Sequence, residues 1–279
     1  MRFGVYYYDA ADAETYVGAL KRKGCRAAYC PEYLKTSYQR EEIAHLRQVC
    51  AREDIVIAEV GAWVNPLSPI PGEAGAARAY IADRLRLADA LHARCCVNII
   101  GSHCAESWCG YHPDNFTRKF FDEAVDLYQS ILDEVAPTHT TLAFEIMPFG
   151  FLDDPENYLS FLEALDRPAA AVHLDPANLL NAPRLLLNHR EVIDHAIRLL
   201  GPRIVSVHLK DLHLSRIPFN TRIDEVAPGT GELDLRWLLK RLCALGDDLP
   251  VMLEHLDSEA EYDRALARVR GLLETDARE

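Results

Sequence analysis

Short apolar runs alternate with amphipathic helical patterns along the whole sequence, and this alternation limits the folds open to the chain. Eight runs have the length and the β-branched or aromatic content of buried strands. They are Phe3–Tyr8, Arg26–Cys30, Ile55–Val60, Cys95–Ile100, Leu142–Phe144, Ala170–Leu174, Ile204–Leu209 and Val251–Leu253. A helical pattern follows each run. Strands that alternate with helices form parallel sheets with right-handed crossovers, and eight repeats favour closure into a (β/α)8 TIM barrel.

The helical patterns carry their own start and stop signals. Ala11–Lys23 is followed by Gly24, and Asp154-Pro155 has the order of an N-cap and a first-turn proline. The other patterns are Glu41–Arg52, Glu73–His92, Phe116–Val135, Glu191–Leu200, Asp234–Leu245 and Glu259–Leu273. A barrel of this kind takes about 250 residues. Because no linker or composition shift interrupts the chain, we predict one domain over residues 1–279.

Composition argues against several classes of function. The 30 basic and 43 acidic residues give a net charge of −13, which disfavours binding to nucleic acid. No apolar run reaches the roughly 18 residues of a membrane span, and the amino terminus lacks the layout of a signal peptide. We therefore expect a cytoplasmic protein that binds neither nucleic acid nor membranes. The sequence leaves open whether the chain forms a homo-oligomer.

The eight cysteines include no Cys-x-x-Cys pair, which is typical of reduced thiols in a cytosolic protein. Cys104 and Cys109 flank a loop after the fourth strand and offer a soft metal site as an alternative to the one described next.

Four side chains that can bind a metal stand at the ends of the last four strands. Glu145, Asp175, His208 and Glu254 follow strands five to eight. Neighbouring strands of a barrel lie roughly 5 Å apart, so the four side chains can converge on one ion. Three carboxylates and an imidazole suit Mn²⁺, Mg²⁺, Co²⁺, Fe²⁺ or Zn²⁺. The alternative is that they are separate polar residues bonded to loop amides.

Five segments carry a resemblance to a known family: EIMP from Glu145, HLDPANLL from His173, VHLKD from Val207, PGTGELD from Pro228 and LEHL from Leu253. The chain resembles the sugar phosphate isomerase/epimerase family of xylose-isomerase-like barrels. That group includes ketose 3-epimerases, inosose dehydratases and endonuclease IV. The resemblance implies one divalent metal ion held by the four residues above, and a substrate that is a small, sugar-like molecule. In the epimerase branch, it also implies that Glu145 and Glu254 form the catalytic acid–base pair.

This pairing has a physical reason. Removal of a proton from a carbon beside a carbonyl needs an electrophile on the oxygen and a base at the carbon. A carboxylate on each face of the substrate can take or return the proton. A carboxylate that binds metal through one oxygen keeps the other oxygen for this task.

The chain departs from two branches of the family. Ketose 3-epimerases usually carry a histidine three residues after the aspartate of strand six, where this chain has Asn178. Endonuclease IV needs further histidines, whereas after strand three this chain offers Glu59, Trp63 and Asn65. These departures and the acidic charge weigh against DNA repair.

Further side chains on the same face are candidates for contacts with a substrate. They are Trp63, His103, Trp108, His173, Asn178, Lys210, Arg216 and Arg222. The arginines, in the long loop Leu212–Leu233, could clamp a phosphate or carboxylate. The indole rings, with Tyr8 and Phe149, could pack on sugar carbons. The alternatives are loop capping by His103, an ion pair of Lys210 that orients the loop after His208, and core packing by His173. For the aromatic rings, the alternative is packing within a hydrophobic lid.

The sequence therefore favours a metal-dependent isomerase or epimerase of a small sugar or polyhydroxylated carbonyl compound. An inosose-type dehydratase would use the same enolisation and then expel water. A DNA hydrolase of the endonuclease IV type and a barrel that binds ligand without turnover are the remaining alternatives.

Overall fold

The computed structural model describes residues 1–7 and 11–274, and they contain the barrel predicted from the alternation. The eight barrel strands are β1 (Arg2–Val5), β2 (Ala27–Tyr29), β3 (Val56–Gly61), β4 (Cys95–Asn98), β5 (Thr141–Glu145), β6 (Ala170–Leu174), β7 (Ile204–Leu209) and β10 (Pro250–Leu253). All are parallel, and each pairs with the next barrel strand along the chain. The barrel closes where Phe3 of β1 lies opposite Val251 of β10.

Helices follow the strands and form the outer layer. In the described residues they are α1 (Ala13–Arg22), α2 (Arg40–Arg52), α3 (Glu73–Leu91), α4 (Arg118–Val135), α5 (Pro155–Leu165), α6 (Pro183–Leu187), α7 (His189–Leu200), α8 (Leu235–Cys243) and α9 (Glu259–Glu274). Asp154 caps α5 as predicted, since its carboxylate accepts the N–H of Asn157 at 2.7 Å. None of these helices is long and apolar enough to cross a bilayer.

One helix begins later than predicted, and one short helix was not predicted, each for a local reason. The helix expected from Phe116 begins at Arg118, because Pro113–Phe116 forms a 3-10 turn and Thr117 is the N-cap. The Thr117 hydroxyl accepts the N–H of Phe120 at 3.2 Å. The short helix α6 was not predicted. Its five residues are too few to show a helical period in the sequence.

Side-chain alternation along the strands decides which residues enter the barrel. The ring of Phe144 points outward and packs against Tyr128 of α4 and Phe161 of α5, with ring centroids 4.7 and 5.1 Å away. Successive side chains of a strand face opposite ways, so Ala143 and Glu145 point inward. The same alternation directs five more polar residues into the carboxyl-terminal end of the barrel: His173, Asp175, His208, Lys210 and Glu254.

Strand β3 departs from simple alternation. Ala28 of β2 pairs with Ile57, but Tyr29 pairs with Glu59, so Ala58 is an extra residue of the kind found in a β-bulge. Ile57 belongs to the core between strands and helices, whereas Ala58 belongs to a small cluster inside the barrel. The extra residue allows Glu59 to face inward as well, where it is fully buried.

The long segment Leu212–Leu233, predicted as a loop, contains an antiparallel hairpin. Its strands are β8 (Asp211–Leu214) and β9 (Ile223–Val226). The buried carboxylate of Asp211 closes the base of the hairpin by accepting four backbone N–H groups at 2.9–3.0 Å. The donors are Leu212, Gly229, Gly231 and Leu233. The segment Pro228–Gly231 therefore makes the predicted turn back to the barrel, with Asp211 as its anchor.

Gly231 is the tightest point of this arrangement. A Cβ atom placed on it would lie 2.3 Å from Oδ1 of Asp211 and 2.5 Å from the carbonyl oxygen of Leu212. Both distances are far below van der Waals contact, and the carbonyl belongs to the backbone, so neither neighbour can easily give way.

We expect Gly231→Ala to lower the free energy of unfolding by about 1–3 kcal/mol, the usual cost of overpacking. The matched control is Gly75→Ala in α3, where a Cβ meets nothing within 4 Å. That change should stabilise the helix by up to about 1 kcal/mol. Urea unfolding of both variants measures the effects. Equal stability of Gly231→Ala and wild type would contradict the tight packing around Asp211.

Candidate metal centre

The four predicted metal ligands converge at the carboxyl-terminal end of the barrel. Ligand atoms of Glu145, Asp175, His208 and Glu254 all lie within 4.8 Å of one another. Nδ1 of His208 is 2.9 Å from Oε2 of Glu254 and 3.3 Å from Oε1 of Glu145. The four side chains come from the ends of β5, β6, β7 and β10, as the alternation of the strands requires.

The residues of this cluster fit a divalent metal ion. Oδ2 of Asp175 and Oε2 of Glu254 are buried, and no residue that the structure describes gives either oxygen a well-aligned hydrogen bond. Their charge is compensated by Lys210, whose Nζ lies 2.9 Å from each of these oxygens. Buried carboxylate oxygens without aligned donors are rare, and carboxylate oxygens with one imidazole are a common ligand set for Mn²⁺, Mg²⁺ or Zn²⁺.

Glu59 is a member of the site that sequence reasoning did not assign. Its Oε2 lies 3.1 Å from Nε2 of His208, and its Oε1 lies 3.2 Å from Nε2 of His173. The hydroxyl of Ser206 also donates to Oε1. Because the Glu59 carboxylate contacts Nε2 of His208, it fixes the orientation of the imidazole ring. The other ring nitrogen, Nδ1, then points toward Glu145 and Glu254. Alternation along the strand does not predict this role, because the role depends on the bulge at Ala58.

The electrostatics of the metal-free cluster follow from these contacts. Burial alone would raise the pKa of Glu59, but His208 and His173 outweigh it and hold the pKa at about 2. Burial likewise opposes the charged form of Glu254, yet His208 and Lys210 keep its pKa well below the ordinary value. Burial disfavours a charged His208, but Glu254 and Glu59 raise its pKa well above the ordinary range. The imidazolium thus neutralises the carboxylates while no metal is bound.

Lys210 is the second cation of the centre. Its side chain is only 3% exposed. Burial opposes its charge, but Asp175 and Glu254 raise its pKa well above the ordinary value. The predicted alternatives for this residue were an ion pair or a contact with substrate. The structure shows ion pairs, made with metal-ligand carboxylates, and Asp211 has separate partners in the hairpin base.

Trp63 and Asn178 complete the wall around Glu145. Nε1 of Trp63 donates to Oε2 of Glu145 at 2.8 Å, and its ring stacks over His208 with centroids 6.0 Å apart. Nδ2 of Asn178 donates to the carbonyl oxygen of Ile146 at 3.0 Å and lies 3.4 Å from Oε1 of Glu145. Both residues, predicted to contact substrate, are therefore placed to orient this carboxylate.

The other predicted substrate contacts have different surroundings. His173 is fully buried beneath His208, edge-on to its ring at 4.0 Å. His103 lies 3.1 Å from Glu123 of α4 instead. Trp108 and Phe149 are 46% and 45% exposed.

The two arginines of the hairpin do not reach the centre. Arg222 pairs with Asp224 at 2.6 Å, and Arg216 lies 3.7 Å from Glu232. Both point into solvent, because the hairpin projects them away from the barrel. Tyr8 lies outside the described residues.

The hairpin instead contributes a residue that was not predicted. Glu225 of β9 lies 3.5 Å from Nζ of Lys210 and 3.0 Å from Nδ1 of His255. His255, directly after Glu254, lies 3.4 Å from Oε1 of that glutamate. The position of His255 next to a predicted ligand was a usable signal, whereas nothing in the loop sequence singled out Glu225.

The alternative soft site finds no support in the geometry. All eight cysteines are free thiols, and Sγ of Cys104 donates to Glu106 at 3.3 Å. Neither Cys104 nor Cys109 enters a group of converging ligand-type side chains among the described residues.

Comparison with known proteins places this geometry in a family. The model of the family described as xylose isomerase-like TIM barrel matches residues 17–272. The chain belongs to this family. A search of curated proteins found no match.

Solved structures of similar proteins share the fold over nearly their whole length. D-psicose 3-epimerase from Clostridium cellulolyticum H10, solved with D-tagatose, is 17% identical with a TM-score of 0.69, covering 98% of each chain. The probable 3-DHS dehydratase AsbF from Bacillus anthracis is 14% identical with a TM-score of 0.71, covering 98% of this chain and 99% of that one. A xylose isomerase-like TIM barrel protein from Mycobacterium smegmatis, in complex with magnesium, is 14% identical with a TM-score of 0.66, covering 96% and 90%.

We expect Glu59→Gln to weaken divalent-metal affinity by about 10–100-fold, as loss of a carboxylate behind a ligating histidine usually does. The amide keeps the shape of the side chain but loses the charge that orients His208. Isothermal titration with Mn²⁺ measures the change. Glu41→Gln, an exposed position on α2, is the control and should bind like wild type, while a Glu145→Ala, His208→Ala double variant should lose stoichiometric metal. Wild-type affinity in Glu59→Gln would contradict the orienting role.

We also expect metal affinity to rise with pH. Because the pKa of His208 is raised in the metal-free protein, an incoming ion has to displace one proton from the imidazole at neutral pH. Affinity should increase roughly tenfold per pH unit below that pKa and level off above it. Titrations in buffers of different ionisation enthalpy measure the proton released. Binding without proton release between about pH 6 and about pH 8 would contradict a protonated His208 that gives up its proton to the ion.

Proposed function

We propose that the protein is a divalent-metal-dependent isomerase or epimerase of a small sugar or another polyhydroxylated carbonyl compound. The observation that carries the proposal is the meeting of Glu145 and Glu254 around His208, in one cluster with Asp175. Two carboxylates that could transfer protons therefore belong to a set of side chains that could bind a metal ion. The set lies at the end of the barrel where active sites of this fold are found. The likeness in fold to D-psicose 3-epimerase supports the same choice.

The reaction class follows from what the residues can do. A divalent ion held by Glu145, Asp175, His208 and Glu254 would polarise the carbonyl and hydroxyl oxygens of a bound substrate. The acidity of the neighbouring C–H bond then rises, and a carboxylate at hydrogen-bond distance can remove the proton. Glu145 and Glu254 approach His208 from strands three places apart in the barrel, so each can serve a different face of the substrate.

The two glutamates have different surroundings, which suits an acid–base pair. Trp63 donates to Oε2 of Glu145, and Asn178 lies near Oε1 of the same group. Glu254 is instead surrounded by the cations Lys210 and His255. We assign proton abstraction to one carboxylate and proton return to the other, with Trp63 and Asn178 holding the Glu145 carboxylate in place.

A dehydratase is the second candidate, and Lys210 is the observation that favours it. The buried ammonium group beside Asp175 and Glu254 can donate a hydrogen bond within the centre. After a proton leaves the carbon next to the carbonyl, such a cation would stabilise the negative charge that develops on a departing hydroxyl group. The likeness in fold to a probable 3-DHS dehydratase agrees with this alternative. Incubation of the metal-loaded enzyme with ketoses, inososes and keto acids, followed by mass analysis, separates the two, because only dehydration lowers the mass by one water.

Hydrolysis of DNA has less support. The net charge is −13, and a polyanion gains little from such a protein. Incision of an abasic duplex by the metal-loaded enzyme would overturn the proposal for small substrates.

We expect Glu254→Gln, saturated with metal, to bind substrate and to turn it over at least about a hundredfold more slowly. The amide oxygen can still approach a metal, but the base is lost. Steady-state kinetics with metal-affinity measurements separate the two effects, and Glu261→Gln on α9 is the control outside the centre. Turnover of the wild type in D₂O should place deuterium at the reacting carbon. Near-normal activity of metal-saturated Glu254→Gln would remove this residue from the chemistry, and turnover without deuterium would favour a hydride shift.

A further inference from the structure

A cavity at the amino-terminal end of the barrel, opposite the metal centre, collects basic side chains. Its volume is about 520 Å³, and it lies where β3, β4 and β5 begin. Its lining includes Arg47 of α2, His92 and Arg94 from the connection between α3 and β4, and His139 from the turn before β5. No carboxylate of the described residues lines it. This concentration of positive groups is unexpected in a chain with a net charge of −13.

Three of the basic groups are in direct contact. Nη1 of Arg47 lies 3.1 Å from Nε2 of His92, and it also donates to the carbonyl oxygen of Ala90 at 3.2 Å. The ring of His92 stacks on that of His139 with centroids 3.9 Å apart and planes 21° from parallel. Burial, together with His139 and Arg47, lowers the pKa of His92. The surroundings therefore already carry the positive charge that an anion would neutralise.

The nearest acidic groups lie outside the lining of the cavity, and one of them pairs with Arg94. Oδ1 of Asp89 accepts the backbone N–H groups of Thr138 and His139 at 2.7 and 2.6 Å. Asp248 pairs with Arg94 at 3.1 Å and also with a second arginine at the end of the barrel. Among the described residues, the other N–H groups of the Arg47 and Arg94 guanidinium groups have no protein acceptor. Asp89 partly offsets the positive surroundings of His92 but does not line the cavity.

An unpaired hydroxyl points to a ligand independently of charge. Thr140 lines the cavity and is only 7% exposed. Its Oγ1 has no hydrogen-bond partner in the part of the chain that the structure describes. A buried hydroxyl without a partner costs free energy. A ligand oxygen that entered the cavity and displaced the atoms covering this hydroxyl would satisfy it.

We infer that this cavity binds the phosphate group of a small metabolite. Guanidinium groups match phosphate oxygens with paired N–H donors, and Arg47 and Arg94 supply two of them from different elements. The stacked imidazoles of His92 and His139 supply further N–H donors when protonated, and the hydroxyl of Thr140 donates one more hydrogen bond. The site lies at the other end of the barrel from the catalytic centre, so it does not depend on the proposed function.

Inorganic phosphate is the probe for this site. Isothermal titration of the full chain, at an ionic strength held constant with chloride, should show one saturable site. The side-chain signals of His92 and His139 in NMR spectra should shift together, and the pKa of His92 should rise in phosphate. Arg47→Met should weaken binding at least tenfold. Arg52→Met removes the same charge from the same helix, where Arg52 pairs with Glu53 away from the cavity, and should bind like wild type.

Thr140→Val gives a readout that does not depend on charge. This change removes an unpaired hydroxyl and keeps the shape, so the phosphate-free protein should be at least as stable as wild type in urea unfolding. The same variant should bind phosphate more weakly. Equal binding by Arg47→Met and Arg52→Met, or phosphate titrations that leave the His92 and His139 signals unmoved, would overturn the inference. Neither result would bear on the metal centre.

Discussion

Buried negative charge at one end of the barrel is the constraint on which the site depends. Glu59, Glu145 and Asp175 are at most 6% exposed, and Glu254 stands beside them with a side chain 17% exposed. A buried carboxylate is tolerated only when it is paired with an opposite charge or a metal. His208 and Lys210 supply the opposite charge through contacts of 2.9–3.3 Å. The acidic ends of the strands can therefore come together in the absence of an ion, provided that His208 is protonated.

Charge compensation also explains the division of labour within the cluster. Lys210 contacts the outer oxygens of Asp175 and Glu254, whereas His208 lies between Glu145 and Glu254 and rests on Glu59. Of these two cations, only the histidine can give up its proton to an incoming metal ion and become a ligand. The lysine keeps its charge and can remain as a donor to a bound substrate.

The barrel and the convergence of the four strand-end side chains could be predicted because both follow from local periodicity. Phe144 is apolar and Glu145 ends its strand, so alternation alone turns the carboxylate inward. The inward position of Glu59 could not be predicted in this way. The extra residue Ala58 reverses which side chains of β3 point into the barrel from that position onward. Arg216 and Arg222 lie in the predicted loop but outside the site, since the direction of that loop depends on tertiary hydrogen bonds.

Those hydrogen bonds have a consequence for how the sequence of this chain could change. Lys210 and Asp211 are consecutive, and one balances charge in the centre while the other binds four amides at the base of the hairpin. The hairpin tip around Ile217 and Phe219 is exposed and takes no part in either task. Mutations there can accumulate without unbalancing the charges of the metal centre. The tip is thus a region where the sequence can change freely while the two anchoring residues stay fixed.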